Sequence, residues 1–300
     1  MKKLPVCDDL FNSTKEIETW KYCVPIFIAS SFFGTFICDT NDLIPDKFNK
    51  TSIRNGTLTF VSYNGETFAI TCKHVLDALE NQQKLWKKDQ IKKYGFEPPI
   101  EGLQLFTPIN NYQYHFNYKL SPVPKRDDGA QPDIAIARVN FHSIQRLNRQ
   151  PIVLTQKDQL PETGIASGYP EQQREIQKGV KLYTFSPKFV NCIASLQVTS
   201  KGDLLIHDTI VEHNGLDVLS GMSGGPIIWS DLKEFGLAGI VREGLDIQSK
   251  ESQIMTEDGI CIYGERITPE LFDHWLDGIP ELLELKDESK MLYIPKGMPI

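Results

Sequence analysis

The chain has 300 residues, of which 40% are hydrophobic, so it is long enough to bury one large or two medium-sized cores. Its 32 Lys and Arg residues stand against 39 Asp and Glu residues, which gives a formal net charge of −7. A net negative charge creates no overall field that attracts nucleic acid or anionic lipid. We therefore expect neither nucleic acid nor a membrane as a partner.

The cysteines are spaced like neither a small disulfide scaffold nor a zinc site, so we expect free thiols. The N-terminus turns acidic before any apolar run begins, which argues against a signal peptide. The apolar stretch over residues 23–38 is too short to span a bilayer. Together these features predict a soluble, cytoplasmic protein. The six cysteines are Cys7, Cys23, Cys38, Cys72, Cys192 and Cys261.

The first readable elements in chain order are β-strands. Residues 24–37 predict a strand, and residues 57–63 and 66–71 alternate around Asn64-Gly65. An Asn-Gly pair between alternating runs favours a two-residue hairpin, because both central residues must take positive φ. His74 follows this hairpin directly, where a strand leads into a helix. A well-registered strand end is the rigid position that a general base needs.

The segment after His74 predicts a short helix over residues 76–83 and an insertion that continues to Pro99. Lysines are frequent in this segment and surround two aromatic residues. A solvated helix or loop face is the favoured interpretation of such a cluster, well ahead of a nucleic-acid site. The cluster consists of Lys84, Lys87, Lys88, Lys92 and Lys93 around Trp86 and Tyr94.

An aspartate opens the next informative strand. Residues 127–132 form a turn-rich loop, and residues 134–139 alternate as a strand. Asp133 lies between them, so the loop should bring its carboxylate to the interior. A lone aspartate before a strand is most often a cap, and a lone histidine after a strand is most often structural.

The second half again predicts short strands separated by turns, after a crossover at residues 140–150. The predicted strands cover residues 164–168, 180–185, 192–198, 204–210, 226–229, 237–241 and 259–263. A helix follows, with Thr268 as its N-cap and Pro269 in its first turn. Its apolar face comprises Leu271, Phe272, Trp275, Leu276 and Ile279.

The stretch from residue 219 to residue 229 presents one serine between a polar loop and an apolar strand. Ser223 is the candidate nucleophile of this turn. Gly221 lets its N–H point outward beside the N–H of Ser223, which would form an oxyanion hole. Gly224 and Gly225 allow close backbone approach behind the serine. A serine is a weak nucleophile without a base, so this hypothesis requires a histidine and a carboxylate elsewhere.

His74, Asp133 and Ser223 occur in the order His, Asp, Ser, and the serine lies in a Gly-Met-Ser-Gly-Gly-Pro turn. On these residues the chain resembles a trypsin-like, chymotrypsin-fold serine peptidase. Each motif alone has a structural explanation, but in this combination and order those explanations become improbable. The resemblance implies an all-β fold of two six-stranded antiparallel β-barrels, with a C-terminal helix packed on the second barrel.

That resemblance also implies a division of the chain. Residues 1–21 would form an N-terminal arm, and residues 22–145 the first barrel with His74 and Asp133. Residues 146–266 would form the second barrel with Ser223, and residues 267–300 a C-terminal helix and tail. The active site would then lie in the cleft between the two barrels.

By the same resemblance, His74 takes the proton of Ser223, Asp133 orients the imidazole, and Gly221 and Ser223 form the oxyanion hole. No metal or organic cofactor is required. Two departures set the chain apart from secreted animal relatives. Val75 replaces the cysteine that follows their catalytic histidine, which favours an intracellular member of bacterial type. Met222 replaces the aspartate that their newly cut N-terminus pairs with, so activation by that route is not expected.

The substrate pocket is carried over by position alone. Asp217 lies six residues before Ser223, where trypsin-like enzymes place the acid that binds arginine or lysine. Arg242, Glu243 and Gly244 match the strand that lines the pocket. Asp217 could equally be an exposed turn residue, and Arg242 could neutralise either Asp217 or Glu243.

The sequence thus predicts a serine endopeptidase that cleaves protein or peptide substrates through an acyl-enzyme. The alternative from another class is a catalytically silent domain of the same fold that binds peptides or a partner protein. A further biological alternative is an effector, such as a defence protein, whose peptidase a regulatory partner protein controls.

Overall fold

The computed structural model describes most of the chain. The described residues are 17–30, 55–95, 103–109, 112–116, 120–126, 129–157, 159–170, 175–178, 183–186, 188–208, 220–231, 233–242, 255–256, 259–286 and 292–293. Strands dominate these ranges, as the alternating pattern predicts.

The N-terminal half is built on one large sheet. Its first strands in the chain are β1 (Cys23–Ser30), β2 (Asn55–Tyr63), β3 (Glu66–Thr71), β4 (Leu103–Ile109), β5 (Tyr112–Phe116), β6 (Ser121–Pro122), β7 (Ala135–Val139) and β8 (Ile152–Val153). The central order is β7-β3-β2-β1-β4-β5, with β6 on β7 and β8 on β2. Within the described residues this sheet is an open path, so the closure of a first barrel stays a prediction.

The predicted hairpin is confirmed. β2 and β3 pair antiparallel, with Tyr63 opposite Glu66. Asn64 and Gly65 between them have φ values of 47° and 81°. Positive φ at both central residues is the geometry that an Asn-Gly turn favours. The hairpin therefore fixes the register of β3, which ends at Thr71.

A long helix follows β3, and here the sequence prediction was wrong about length. Helix α1 runs over Lys73–Tyr94, whereas a short helix and an insertion were expected. Gly95 ends it in the left-handed conformation, with φ 74° and its N–H bonded to the carbonyl of Ile91. The helix continues because its polar residues are good helix formers. Lys84, Lys88 and Lys92 recur every four residues on its exposed surface, as expected of a solvated face.

A second, closed sheet forms the C-terminal half. After the short α2 (Phe141–Arg146), its strands are β9 (Thr163–Gly168), β12 (Val190–Val198), β13 (Leu204–Asp208), β14 (Pro226–Ser230), β15 (Phe235–Val241), β16 (Met255–Thr256) and β17 (Gly259–Arg266), while β10 (Glu175–Lys178) and β11 (Tyr183–Ser186) pair separately. The order β13-β12-β9-β14-β15-β17 closes because β13 also pairs with β17. Six strands thus form one antiparallel barrel.

The C-terminal helix corrects another expectation. Helix α3 (Pro269–Gly278) begins as predicted, with the Thr268 hydroxyl accepting from the N–H of Leu271 at 3.3 Å. Its buried residues belong to the core cluster of the N-terminal sheet, which also takes in residues of β14 and β15, and not to the cluster inside the closed barrel. The ring of Phe272 meets the rings of Tyr63 and Phe68 edge-on, each at 5.1 Å between centroids. Burial of Phe272 and Trp275 in the core beneath β2 and β3 stabilises this position.

The chain after α3 also returns to the first sheet. Strand β18 (Glu284–Leu285) pairs parallel with β7, and β19 (Leu292–Tyr293) pairs with β5. Together with β8 on β2, these additions give the N-terminal sheet ten strands. The described part of the chain is therefore mostly β, with one closed six-stranded barrel and few helices. None of the described helices combines the length and apolar character that a membrane crossing requires.

Candidate active site

His74 and Asp133 form a two-point contact. The main-chain N–H of His74 donates to Asp133 Oδ1 at 2.9 Å, and Nδ1 of its ring lies 2.6 Å from Asp133 Oδ2. A carboxylate can only accept, so Nδ1 carries the proton and Nε2 is left with its lone pair. The pair therefore holds the imidazole in the tautomer that a general base needs.

The two residues meet because β3 and β7 are neighbours. Thr71, the last residue of β3, pairs with Ala135, the first residue of β7. His74 lies just past the end of β3, in the first turn of α1, and Asp133 lies just before β7. The Asp133 loop is held by Gln131, whose side-chain amide donates to the carbonyl of Val123 at 2.7 Å. The pairing of two buried strands thus brings the base to its carboxylate.

The turn that carries Ser223 packs against the same region. The Thr57 N–H donates to the carbonyl of Ser223 at 2.8 Å. A Cβ on Gly56 would lie 3.5 Å from that carbonyl oxygen and 2.9 Å from Val75. Ser223 therefore lies beside the start of α1, next to the residue that follows His74. The serine is 1% exposed, whereas the His74 side chain is 40% exposed, so the site is open on the histidine side.

Hydrogen bonds fix the peptide planes of this turn. The carbonyl of Gly221 accepts from the Thr57 hydroxyl at 3.0 Å, and that of Met222 accepts from the Gly225 N–H at 2.8 Å. In a trans peptide the N–H points opposite to the preceding carbonyl, so the Ser223 N–H points away from Gly225. Gly221 has φ 96°, a value that side-chain-bearing residues rarely adopt. This backbone is compatible with the predicted oxyanion hole.

Two glycines behind the serine are required by close packing. A Cβ on Gly224 would lie 2.1 Å from the Thr57 carbonyl oxygen and 2.3 Å from the Thr71 hydroxyl. A Cβ on Gly225 would lie 1.9 Å from the carbonyl oxygen of Ser167. The absence of side chains therefore lets the turn touch β2 and β3 on one side and β9 on the other.

Met222, the residue directly before Ser223, is a core residue. Its side chain is fully buried among the apolar residues of the closed barrel, including Ile227 and Trp229. An unpaired carboxylate in this position would be strongly destabilising. With methionine at this position, the turn folds without an ion-pair partner there.

A buried ion network, which no sequence motif predicted, lies directly behind Asp133. Glu265 on β17 is 2% exposed, and its Oε1 accepts from the Asp133 main-chain N–H at 3.2 Å. Its carboxylate also accepts from Arg126 and Arg242, each at 2.9 Å. Arg242 additionally lies 3.5 Å from Asp203. The signal available in the sequence was a carboxylate near the end of a mostly apolar strand, but its arginine partners are 23 to 139 residues away.

This ion network affects the pKa of the Arg242 guanidinium. Burial alone would lower the pKa of its guanidinium, but the carboxylates of Glu265 and Asp203 outweigh that effect and raise the pKa above its usual value. Arg242, one of the predicted pocket residues, is thus bound to Glu265 and Asp203. Asp217, Glu243 and Gly244 lie outside the described residues, so their place in a pocket stays a prediction.

One set of side chains near the site could in principle ligate a metal. The Cys72 thiol, a His74 ring nitrogen and an Asp133 carboxylate oxygen lie within 4.8 Å of one another. A tetrahedral zinc ion separates its nitrogen and oxygen ligands by about 3.3 Å. Because Nδ1 and Oδ2 are only 2.6 Å apart, they are arranged to share a proton. The Cys72 thiol also has an acceptor, the Val241 carbonyl at 3.1 Å.

Comparison with known proteins gives weak likenesses. No family model and no curated protein matches the sequence. A thermostable serine protease, AL20, from an extremophilic microorganism aligns with a TM-score of 0.45 and 8% identity, over 87% of this chain and 98% of that one. The protease Anisep of Arthrobacter nicotinovorans gives 0.45 and 11%, over 87% and 96%.

A viral structure aligns less well. The serine protease domain of the Sesbania mosaic virus polyprotein gives a TM-score of 0.37 and 13% identity, over 81% of this chain and 87% of that one. Likeness at this level is too weak to decide either fold or chemistry, so both rest on the residues and contacts described above.

Proposed function

We propose that the chain is a serine endopeptidase that cleaves protein or peptide substrates through a Ser-His-Asp triad. The observation that supports this proposal most strongly is the two-point contact of Asp133 with His74, at 2.9 Å and 2.6 Å. The Ser223 turn packs against the strand ends that carry this pair. A histidine held in one tautomer beside a serine on a glycine turn is the arrangement that nucleophilic catalysis by serine needs.

In the proposed mechanism, Nε2 of His74 takes the proton of the Ser223 hydroxyl as the oxygen attacks the substrate carbonyl. Asp133 stabilises the imidazolium that forms. The N–H groups of Gly221 and Ser223 bind the oxyanion of the tetrahedral intermediate. His74 then protonates the leaving amine, and water releases the acyl group from Ser223. No step calls for a metal or an organic cofactor.

The complete fold in this proposal has two six-stranded barrels, with the N-terminal sheet closed as well. Asp217 is the proposed determinant of a preference for arginine or lysine on the acyl side of the cut. The enzyme would prefer basic over apolar side chains because a desolvated carboxylate binds a paired cation favourably, whereas leaving it unpaired beneath an apolar side chain costs free energy. A positional peptide library tests this, since Asp217→Ser should lower turnover of arginyl and lysyl substrates at least about tenfold.

Control of the enzyme is proposed to come from a partner protein in the cytoplasm. Met222 offers no carboxylate for a cut N-terminus to bind, so an activation step of that kind has no acceptor in the Ser223 turn. None of the four described cysteines is in a disulfide bond, which suits a reducing compartment; they are Cys23, Cys72, Cys192 and Cys261. An effector role, including defence, would fit such partner control.

The alternative is a silent domain that binds peptides or a partner protein without cutting. The His74–Asp133 pair argues against a silent domain, because binding alone does not require a fixed imidazole tautomer. Mapping new protein N-termini in cells that express the parent or Ser223→Ala separates the two functions. The proposal expects cleavage products with the parent alone, and identical N-termini in both samples would favour the binding module.

A further inference from the structure

We propose that Glu265 and Arg242 are positioning residues that set the charge around the His74–Asp133 pair and thereby tune the proton affinity of the His74 imidazole. Both act through Asp133, Glu265 from β17 of the C-terminal barrel and Arg242 from the position directly after β15. The effect on catalysis rests on the proposed function, but the effect on the imidazole does not.

The first support is the contact between Glu265 and the backbone of Asp133. Glu265 Oε1 lies 3.2 Å from the Asp133 nitrogen, while the two Asp133 carboxylate oxygens face His74. Asp133 is therefore held from behind by one half of the molecule and bonded in front to a residue of the other half. Any displacement of Glu265 would move the carboxylate that orients the imidazole.

The second support is the charge of the cluster. Asp133, Glu265 and Asp203 contribute three carboxylates, and Arg126 and Arg242 contribute two guanidinium groups. The described contacts therefore leave one net negative charge when the imidazole is neutral. Protonation of His74 brings the cluster to neutrality. Since Glu265 is buried, solvent screens its charge less than it would at the surface.

Among the described residues, the charged and titratable groups that flank His74 on its own element have partners of their own. Lys73 is paired with Asp77 at 2.6 Å on the same helix, so this pair adds no net charge. The thiol of Cys72, which directly follows β3, donates a hydrogen bond to the Val241 carbonyl. Among the described residues, the charges that lie behind the His74–Asp133 pair are those of Glu265, Arg126, Arg242 and Asp203.

Opposite substitutions should shift the imidazole in opposite directions. Glu265→Gln keeps an oxygen acceptor for the Asp133 N–H but removes a negative charge, so the midpoint of the His74 titration should fall. Arg242→Gln removes a positive charge, so the midpoint should rise. Each shift should be roughly half a pH unit or more, the scale expected of a buried charge near a titrating group. The double variant should titrate near the parent.

The experiment is an NMR titration of the imidazole resonances, with the His74 signal assigned by its loss in His74→Gln. Arg138→Gln is the matched control, because Arg138 lies on β7 but is about half exposed and pairs with Glu66. It should leave the midpoint unchanged. If one single variant fails to fold, the test still decides, because the His74 midpoint of the double variant can be compared with that of the other single variant.

Opposite shifts that cancel in the double variant would support the proposal. Shifts in the same direction, or no shift in folded variants, would overturn it and leave Glu265 as a structural residue. The acidic limb of fluorophosphonate labelling against pH should follow the same shifts. A parent that is not labelled at all would reject the proposed function, whereas the titration would still decide the electrostatic inference.

Discussion

The main-chain N–H of Thr57 donates a 2.8 Å hydrogen bond to the carbonyl oxygen of Ser223. The same threonine donates its hydroxyl to the Gly221 carbonyl at 3.0 Å and accepts from the Tyr169 N–H at 3.2 Å. Thr59, on the same strand, donates its hydroxyl to the Gly224 carbonyl at 2.7 Å. A strand of the N-terminal sheet thus fixes the serine turn of the C-terminal half.

Thr57→Val should therefore destabilise the protein by about 1–3 kcal/mol, because it leaves the buried Gly221 carbonyl and Tyr169 N–H without their hydroxyl partner. The free energy of unfolding in urea measures this loss. Thr57→Ser keeps the hydroxyl and is the control. Equal unfolding free energies for the valine variant and the parent would show that the hydroxyl does not hold the turn.

Gly224→Ala should be far more damaging than Gly202→Ala. Both glycines have similar positive φ values, 86° and 83°, so both variants carry the backbone strain of about 1–2 kcal/mol. Only at Gly224 would the new Cβ meet backbone and side-chain oxygens, whereas nothing lies within 4 Å of it at Gly202. We expect a loss of at least about 3 kcal/mol for Gly224→Ala. Similar melting temperatures for the two variants would contradict the packing described for the turn.

The sequence predicted the features that depend on neighbouring residues. The Asn64-Gly65 hairpin and the Thr268 cap follow from local φ requirements and local hydrogen bonds, and both are confirmed. The place of α3 depends on where Phe272 finds apolar partners, which no local pattern encodes. Glu265 was missed for the same reason, because its arginine partners come from distant segments of the chain.

Cys23 should be unreactive in the native protein and should make stability fall at alkaline pH. Burial raises the pKa of its thiol from 9.0 to about 12, although Arg149 acts in the opposite direction. The unfolded chain releases this proton near pH 9.0 and the folded chain near pH 12, so the stabilising contribution is complete below pH 9 and is lost as pH rises through this window.

Unfolding in urea between pH 8 and pH 11 measures the effect. The parent should lose about 1.4 kcal/mol more per pH unit above pH 9 than Cys23→Ala does, which corresponds to one proton. Parallel pH dependences for the two proteins would mean that the thiol is solvated. Thiol counting should find Cys23, Cys72, Cys192 and Cys261 all reactive in denaturant without reductant.

Asp133→Asn should reduce peptide turnover by about 10⁴ with little effect on folding, because an amide of the same size permits the wrong imidazole tautomer. Single-turnover kinetics on a peptide substrate would measure it. Glu66→Gln, which alters a half-exposed carboxylate on β3 that pairs with Arg138, is the control and should retain parental turnover. A loss of only a few-fold for Asp133→Asn would mean that another carboxylate orients His74.

The most direct measurement is covalent labelling with a fluorophosphonate, followed by peptide mapping of the modified residue. Ser223 should carry the label in the parent, and Ser223→Ala should stay unlabelled while melting at the parental temperature. Ser220→Ala, which alters a buried serine of the same turn, should be labelled like the parent. A folded parent that takes no label, or a Ser223→Ala variant labelled at the parental rate, would contradict the assignment of Ser223 as the nucleophile.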